Sequence, residues 1–148
     1  EQAIEYSCNY FFYEVGYRLG SKNNTTELSD STGLALLAKY AKMFGLDSVS
    51  GLELPETTPR ISDESVVRSA IGQATHNYTA AELARYVTAI ANSGNLYQLS
   101  ILDKITDSEG NVLEENEPNL TNKIELKQST WDMVHTGMYK VCNESSYR

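Results

Sequence analysis

The chain is poor in the residues that cross-link small folds or bind metals. Its 148 residues include only two cysteines, Cys8 and Cys142, which lie far apart, and two histidines, His76 and His135, each isolated in sequence. Two cysteines are too few for a disulfide scaffold, and no Cys or His pair has the spacing of metal ligands. We therefore expect free thiols, and neither a metal site nor a bound cofactor.

Basic residues and long apolar runs are also scarce. Twelve Lys and Arg stand against 20 Asp and Glu, for a net charge of −8. This balance argues against a nucleic-acid partner, which needs clustered positive charge. No apolar run reaches the length of a membrane span, so we expect a soluble segment without membrane contact. With 41% hydrophobic residues the composition is that of a globular domain with a real core.

The apolar periodicity predicts a mainly helical chain with one small β-hairpin. A helix from Cys8 ends before Gly20, and a second ends at Gly45. A short helix begins after Ser62 or Asp63 as its cap and breaks at 72–73. The predicted helices cover 8–19, about 32–44, about 63–70, 80–91, and 128 onward.

Two further local patterns complete this outline. Thr79 and Glu82 form a capping box at the start of the fourth helix. Residues 99–102 and 104–106 look like strand, 107–111 like a turn, 112–113 like the returning strand, and 114–122 like an exposed loop. We expect the helices to share one core and the chain to fold alone. The predicted core residues are Phe11, Val15, Leu37, Phe44, Leu83, Val87, Ile90 and Trp131.

The stretch Ser7-Cys8-Asn9, directly before the aromatic-rich first helix, is the candidate functional segment. Polar side chains at a helix start lie beside unpaired backbone N–H groups, where a reacting or binding group is useful. A simpler interpretation is that Ser7 or Asn9 is the N-cap of the helix, which both residue types favour. The local sequence leaves both interpretations open.

The order of motifs along the chain resembles the transpeptidase domain of penicillin-binding proteins, most closely the class B, monofunctional type. The resemblance spans nearly the whole chain, although each motif alone is weak. The matching pieces are Ser7-Cys8-Asn9, residues 40–46 (YAKMFGL), 50–55 (SGLELP), 70–73 (AIGQ), 79–84 (TAAELA), 90–94 (IANSG), and the last helix with Val134 and Gly137-Met138.

In that family three motifs, S-x-x-K, S-x-N and K-T-G, surround one cleft. The resemblance implies that Ser7 is the S-x-N serine, whose hydroxyl passes a proton between a base and the leaving D-alanine amine. It implies that Asn9 is the S-x-N asparagine, whose amide binds the substrate peptide or the catalytic lysine. Cys8 occupies the variable position and receives no role.

The other two motifs are missing from the sequence. The nearest match to S-x-x-K is Ser65-Val66-Val67-Arg68, and an arginine cannot accept a proton at working pH. His135-Thr136-Gly137 looks like a K-T-G variant, but it falls inside the helical stripe of the last helix. In the family both motifs lie just beyond the ends of this chain. We therefore expect residues 1–148 to be a partial transpeptidase domain, namely the helical subdomain of the penicillin-binding serine transpeptidase fold, and an internal piece of a longer protein.

The resemblance implies a parent enzyme that cross-links peptidoglycan by serine acyl transfer. Its partners would be the D-Ala-D-Ala stem peptide and beta-lactams, and it would be anchored in the cytoplasmic membrane with this domain outside. The chain alone, without a nucleophile, should be inactive and free to self-associate through exposed faces. Two alternatives stay open: a non-catalytic interaction module of cell-wall assembly, and a D,D-carboxypeptidase or beta-lactamase relative.

Overall fold

The computed structural model describes residues 1–21 and 27–144 and is mainly helical. The predicted helical class is thus confirmed. The helices are α1 (Gln2–Glu5), α2 (Asn9–Gly20), α3 (Asp30–Met43), α4 (Val66–Ser69), α5 (Ala80–Ala91) and α6 (Gln128–Asn143). The strands are β1 (Asn95–Tyr97), β2 (Lys104–Thr106), β3 (Val112–Glu115) and β4 (Leu120–Lys123).

Among the described helices, α3 and α5 begin with a side-chain cap, supplied by Ser29 and Thr79. The capping box of α5 is confirmed, with the Thr79 hydroxyl accepting from Glu82 N and the Glu82 carboxylate accepting from Thr79 N. The prediction for α4 is wrong at its start, because Ser65, at φ 46°, precedes the helix in place of Ser62 or Asp63. Within the loop predicted for 21–30, residues 22–26 lie outside the described part of the chain.

Two separate antiparallel pairs supply the strands that the structure describes. β2 pairs with β3 in the predicted hairpin, and β1 pairs with β4. The second pair was missed, and residues 114–122, predicted as a loop, contain the end of β3 and the start of β4. The strand predicted at 99–102 is absent there. The hydroxyl of Ser100 and the backbone N–H of Ile101 donate to the carboxylate of Glu53 instead of to a neighbouring strand.

The core is centred on Trp131, which is 4% exposed and packs edge-on against Phe44, itself edge-on to Tyr86. The fully buried apolar side chains also include Val66 and Ala89. The predicted core is wrong in part, because three of its members are about half exposed: Phe11, Leu83 and Val87.

The buried side of α5 carries charged residues. Arg85 is 5% exposed, and its guanidinium donates to the carbonyl oxygens of Gly45, Ser48, Val49 and Ser50. Burial lowers the pKa of Arg85 from its ordinary value, while the carboxylates of Glu56 and Glu82 oppose this shift. The guanidinium thus links the turn after α3 to α5. It also supplies the hydrogen bonds that carbonyl groups need when they are buried.

Helix α2 packs through glycines rather than through the predicted Phe11 stripe. Gly16 and Gly20 are buried on this helix. A Cβ at Gly16 would lie 2.8 Å from Val66 O and 2.9 Å from Ala70 Cβ, so α2 and α4 approach backbone to backbone. No helix within 1–21 and 27–144 has the length and apolarity needed to cross a bilayer.

Candidate functional site

Ser7 lies at the junction between α1 and α2 in an unusual backbone conformation. Its φ is 47°, in the left-handed region that disfavours side chains. Ser7 N donates to Ile4 O at 3.1 Å, and Cys8 N donates to Ala3 O at 2.9 Å. This is the Schellman pattern, in which glycine is usual at the position that Ser7 holds. A serine here carries strain, which is common at functional sites.

The simpler interpretation, that Ser7 or Asn9 caps α2, does not describe the structure. The N-cap residue is Cys8, and no side chain accepts a hydrogen bond at this helix start. Ser7 and Asn9 are both exposed, and neither side chain has a hydrogen-bond partner among the described residues. Their polar groups are therefore available to a ligand.

Ser7 and Asn9 line one shallow cleft of about 320 Å³. Ile4 and Phe12 form its apolar side from α1 and α2, and Ala70-Ile71 close it from the end of α4. None of the lining residues titrates, so the cleft contains a hydroxyl and an amide but no base. Such a surface can hydrogen-bond a peptide, whereas proton abstraction needs a group from outside this set.

Two contacts and a turn place the far wall of the cleft. Gly16 lets α4 lie directly on α2, as described above. The backbone N–H of Val66, at the start of α4, donates to Asp30 Oδ1 at 2.8 Å. After Ile71 the chain turns at Gly72, whose φ of 79° suits glycine. The Gly72-Gln73 turn thus follows directly after the cleft wall.

The His135-Thr136-Gly137 segment lies within α6, as predicted, and has structural contacts. His135 stacks on Trp131 and donates from Nε2 to Ile90 O at 2.7 Å. A Cβ at Gly137 would lie 3.0 Å from Ile4 Cβ, so this glycine allows α1 to pack on α6. The described residues hold no group of His, Cys, Asp or Glu arranged for a metal.

The comparisons with known proteins identify the family of this chain. The family model described as the penicillin binding protein transpeptidase domain matches residues 1–147. This chain belongs to that family. It is 28% identical to penicillin-binding protein H of Bacillus subtilis (strain 168) over 97% of this chain and 22% of that protein.

Two pneumococcal comparisons support the same assignment. The chain is 29% identical to penicillin-binding protein 2B of Streptococcus pneumoniae (strain D39) over 98% of this chain and 23% of that protein. A solved structure of penicillin-binding protein 2B from strain R6 superposes with a TM-score of 0.82 at 26% identity. It covers 99% of this chain and 26% of the solved one. The chain thus spans about a quarter of these relatives.

Sequence reasoning missed two parts of this site. Ala70 and Ile71 form a wall of the cleft, and they were missed because their apolar side chains carry no chemical signal of their own. In the sequence they stood out only as part of the matching piece 70–73. The left-handed conformation of Ser7 was also missed, because four residues are too few for α1 to stand out as a helix in the sequence.

Proposed function

We propose that this chain is the S-x-N-bearing part of a peptidoglycan D,D-transpeptidase that works by serine acyl transfer. Ser7 and Asn9 are the proposed site residues. The serine hydroxyl relays a proton, and the asparagine amide holds the substrate peptide. The carrying observation is that both side chains line one cleft without hydrogen-bond partners among the described residues, in a chain of the transpeptidase family.

The residues of the cleft support the proposal that the base and the nucleophile come from segments outside this chain. It offers hydrogen bonds but no base and no activated nucleophile. An acyl transfer needs both, so the S-x-x-K serine and lysine would come from a preceding segment and K-T-G from a following one. The attacking serine would release D-alanine from D-Ala-D-Ala and pass the acyl group to a neighbouring stem-peptide amine. Beta-lactams would acylate the same serine.

An apolar gap at the edge of the core supports the proposal that residues 1–148 are only part of a domain. About 440 Å³ of apolar space, partly open to solvent, lies between α2 and α6, lined by Phe12, Trp131, Val134 and Met138 among others. Contiguous apolar surface that is open to solvent is typical of a place where another segment binds. A further apolar segment of the parent would fill this space. The proposed parent is anchored in the cytoplasmic membrane, with this domain on the outer side.

Fluorescent penicillin labelling tests the function. We expect no covalent label on the 148-residue chain and stable labelling of the natural protein that contains it. In that protein Ser7→Ala should slow acylation about 100-fold or more, because a proton relay contributes on that order. Asn9→Ala should do so by a similar factor, since it removes a donor from the reacting region.

Ser108→Ala is the matched control, because Ser108 lies in an exposed turn far along the chain from the cleft. It should acylate like the wild type. Unchanged acylation in both site variants would refute the assigned roles. If the natural protein takes no label, the transpeptidase function is refuted and the non-catalytic interaction module remains. If it takes the label and releases it rapidly, it is a hydrolase.

A further inference from the structure

The β2–β3 hairpin stands apart from the helices. Every residue of both strands is exposed, and the two strands pair only with each other. None of the described helices packs closely on either strand. The outer edge of each strand therefore presents backbone N–H and C=O groups that pair with no other described strand. Such an edge is a template on which a further strand can pair.

The hairpin and the residues beside it expose apolar side chains. Leu113 is 67% exposed and Ile101 is 65% exposed. Single exposed apolar residues are ordinary on a protein surface, whereas a group of them beside an unpaired strand edge is typical of a place where another chain binds. Four more exposed apolar side chains belong to this group: Leu102, Ile105, Val112 and Leu120.

The charge of the hairpin decides which partner fits it. Residues 103–117 contain six Asp and Glu but only one basic residue, Lys104. In a pair of identical hairpins these like charges would face each other, which disfavours pairing with a second copy. Nucleic acids and anionic lipid surfaces are disfavoured for the same reason. The complementary partner is therefore a protein segment that is both apolar and basic.

A polar pocket of about 400 Å³ lies where β3 ends. Asn116 and Glu117, which follow β3 directly, line it together with Glu53. The hydroxyl of Ser100 and the backbone N–H of Ile101 donate to the Glu53 carboxylate and hold its pKa below the ordinary value. Glu53 is therefore ionised at neutral pH. Two carboxylates beside an amide oxygen suit a lysine or arginine side chain, which can only donate hydrogen bonds.

We propose that the β3 edge and this pocket bind an extended basic segment of another protein. The segment adds a strand along Val112–Glu115 through backbone hydrogen bonds. Its apolar side chains cover Val112 and Leu113, and its basic side chains lie beside Glu114 and Glu115. Because the pocket follows β3 directly, a strand that continues past Glu115 brings a further basic side chain to Glu117.

NMR titration of the 148-residue chain with a peptide of four Lys-Val repeats, blocked at both ends, tests the proposal. We expect saturable shift changes at the amides of residues 112–117. The Kd should be about 0.1 mM in about 0.05 M NaCl, and binding should be about tenfold weaker in about 0.5 M NaCl. A Glu-Val repeat of the same length should not bind. Absence of saturable binding of the Lys-Val peptide would overturn the proposal.

A Lys-Pro repeat separates strand pairing from attraction between charges. It keeps the charge of the Lys-Val peptide, but proline has no backbone donor and cannot join the middle of a ladder. It should bind at least about fivefold more weakly, which is the factor that one hydrogen bond contributes. Equal binding of the two peptides would show that no strand is added and would overturn the proposal.

Two variants locate the site. Glu117→Lys replaces an attractive pair in the pocket by a repulsive one, so the affinity for the Lys-Val peptide should fall about fivefold. Glu27→Lys is the control, because Glu27 is exposed before α3 and lies outside the hairpin and the pocket. It changes the net charge equally and should lower the affinity less than about twofold. Equal losses would attribute binding to net charge and overturn the assignment.

Two further measurements identify the occupant. Shift changes at residues 112–117 when the chain is concentrated without peptide would identify a second copy. Failure of the peptide to bind the natural protein that contains this chain would identify a further segment of that protein. Either result would overturn the proposal. The titration needs no nucleophile, so its result is separate from that of penicillin labelling.

Discussion

The serine of the candidate site occupies a position that its backbone conformation would assign to glycine. Ser7 closes α1 with φ at 47°, and its side chain then enters the cleft beside Asn9. A serine in the left-handed region costs about 1 kcal/mol relative to glycine. Because its hydroxyl makes no hydrogen bond within the described residues, no such contact offsets this conformational cost. This combination favours a role in function over one in stability.

Replacing this serine by glycine tests that argument. We expect Ser7→Gly to be at least as stable as the wild type, because relief of the left-handed strain offsets the added flexibility of the unfolded chain. Lys39→Gly, on the exposed face of α3, is the control and should lose about 1 kcal/mol. Urea unfolding monitored by circular dichroism gives both values. A loss in Ser7→Gly equal to that in Lys39→Gly would show that Ser7 contributes to stability.

Residue-level prediction succeeded where partners are close in sequence. Thr79 and Glu82 are three residues apart, so their capping box could be read directly from the sequence. Arg85 was missed because its acceptors, from Gly45 to Ser50, lie 35 to 40 residues away. Its neighbours Leu83 and Val87 looked like a core stripe, yet the helix turns its charged side inward. Periodicity identifies a helix but does not identify which face is buried.

At the scale of elements, the site depends on the crossing of α2 and α4. The cleft has residues of α2 on one side and Ala70-Ile71 on the other, and Gly16 sets the distance between them. We expect Gly16→Ala to destabilise the chain by about 3 kcal/mol, because a methyl group there meets backbone atoms of α4. The Gly16→Ala protein that still folds should show changed NMR chemical shifts at Ser7, Asn9 and Ile71.

Glu14→Ala on the same helix is the control. Glu14 forms an exposed ion pair with Arg18, so its loss should change the free energy of unfolding by less than about 1 kcal/mol. If Gly16→Ala were as mild as Glu14→Ala, α4 could move away without cost. The close crossing would then not determine the position of the cleft wall.

Elements were predictable where a local sequence pattern marks them. The long helices α3, α5 and α6 and the β2–β3 hairpin with its Gly110 turn follow from sequence patterns. β1 has three residues and pairs with β4 across more than 20 residues, so no local pattern reveals either strand. Residues 99–102 have the apolar pattern of a strand, but Ser100 and Ile101 donate hydrogen bonds to the carboxylate of Glu53 rather than to a neighbouring strand.

At the scale of the whole molecule, a net charge of −8 opposes the self-association that an exposed apolar surface favours. The gap between α2 and α6 leaves Met138, Val134 and Phe12 facing unfilled space. In the proposed parent a further segment covers this surface, whereas the isolated chain has only a second copy of itself to cover it. Repulsion between two chains of the same sign limits such association at low ionic strength.

We expect this chain to self-associate more strongly in about 0.5 M NaCl than in about 0.02 M NaCl, because salt screens the repulsion and leaves apolar contact intact. Sedimentation equilibrium measures the effect. Met138→Glu should keep the chain monomeric, since it places a charge in the gap. Met133→Glu, also on α6 but 54% exposed and outside the gap, adds the same charge and should associate like the wild type. Equal weakening by both variants would attribute association to net charge rather than to this surface.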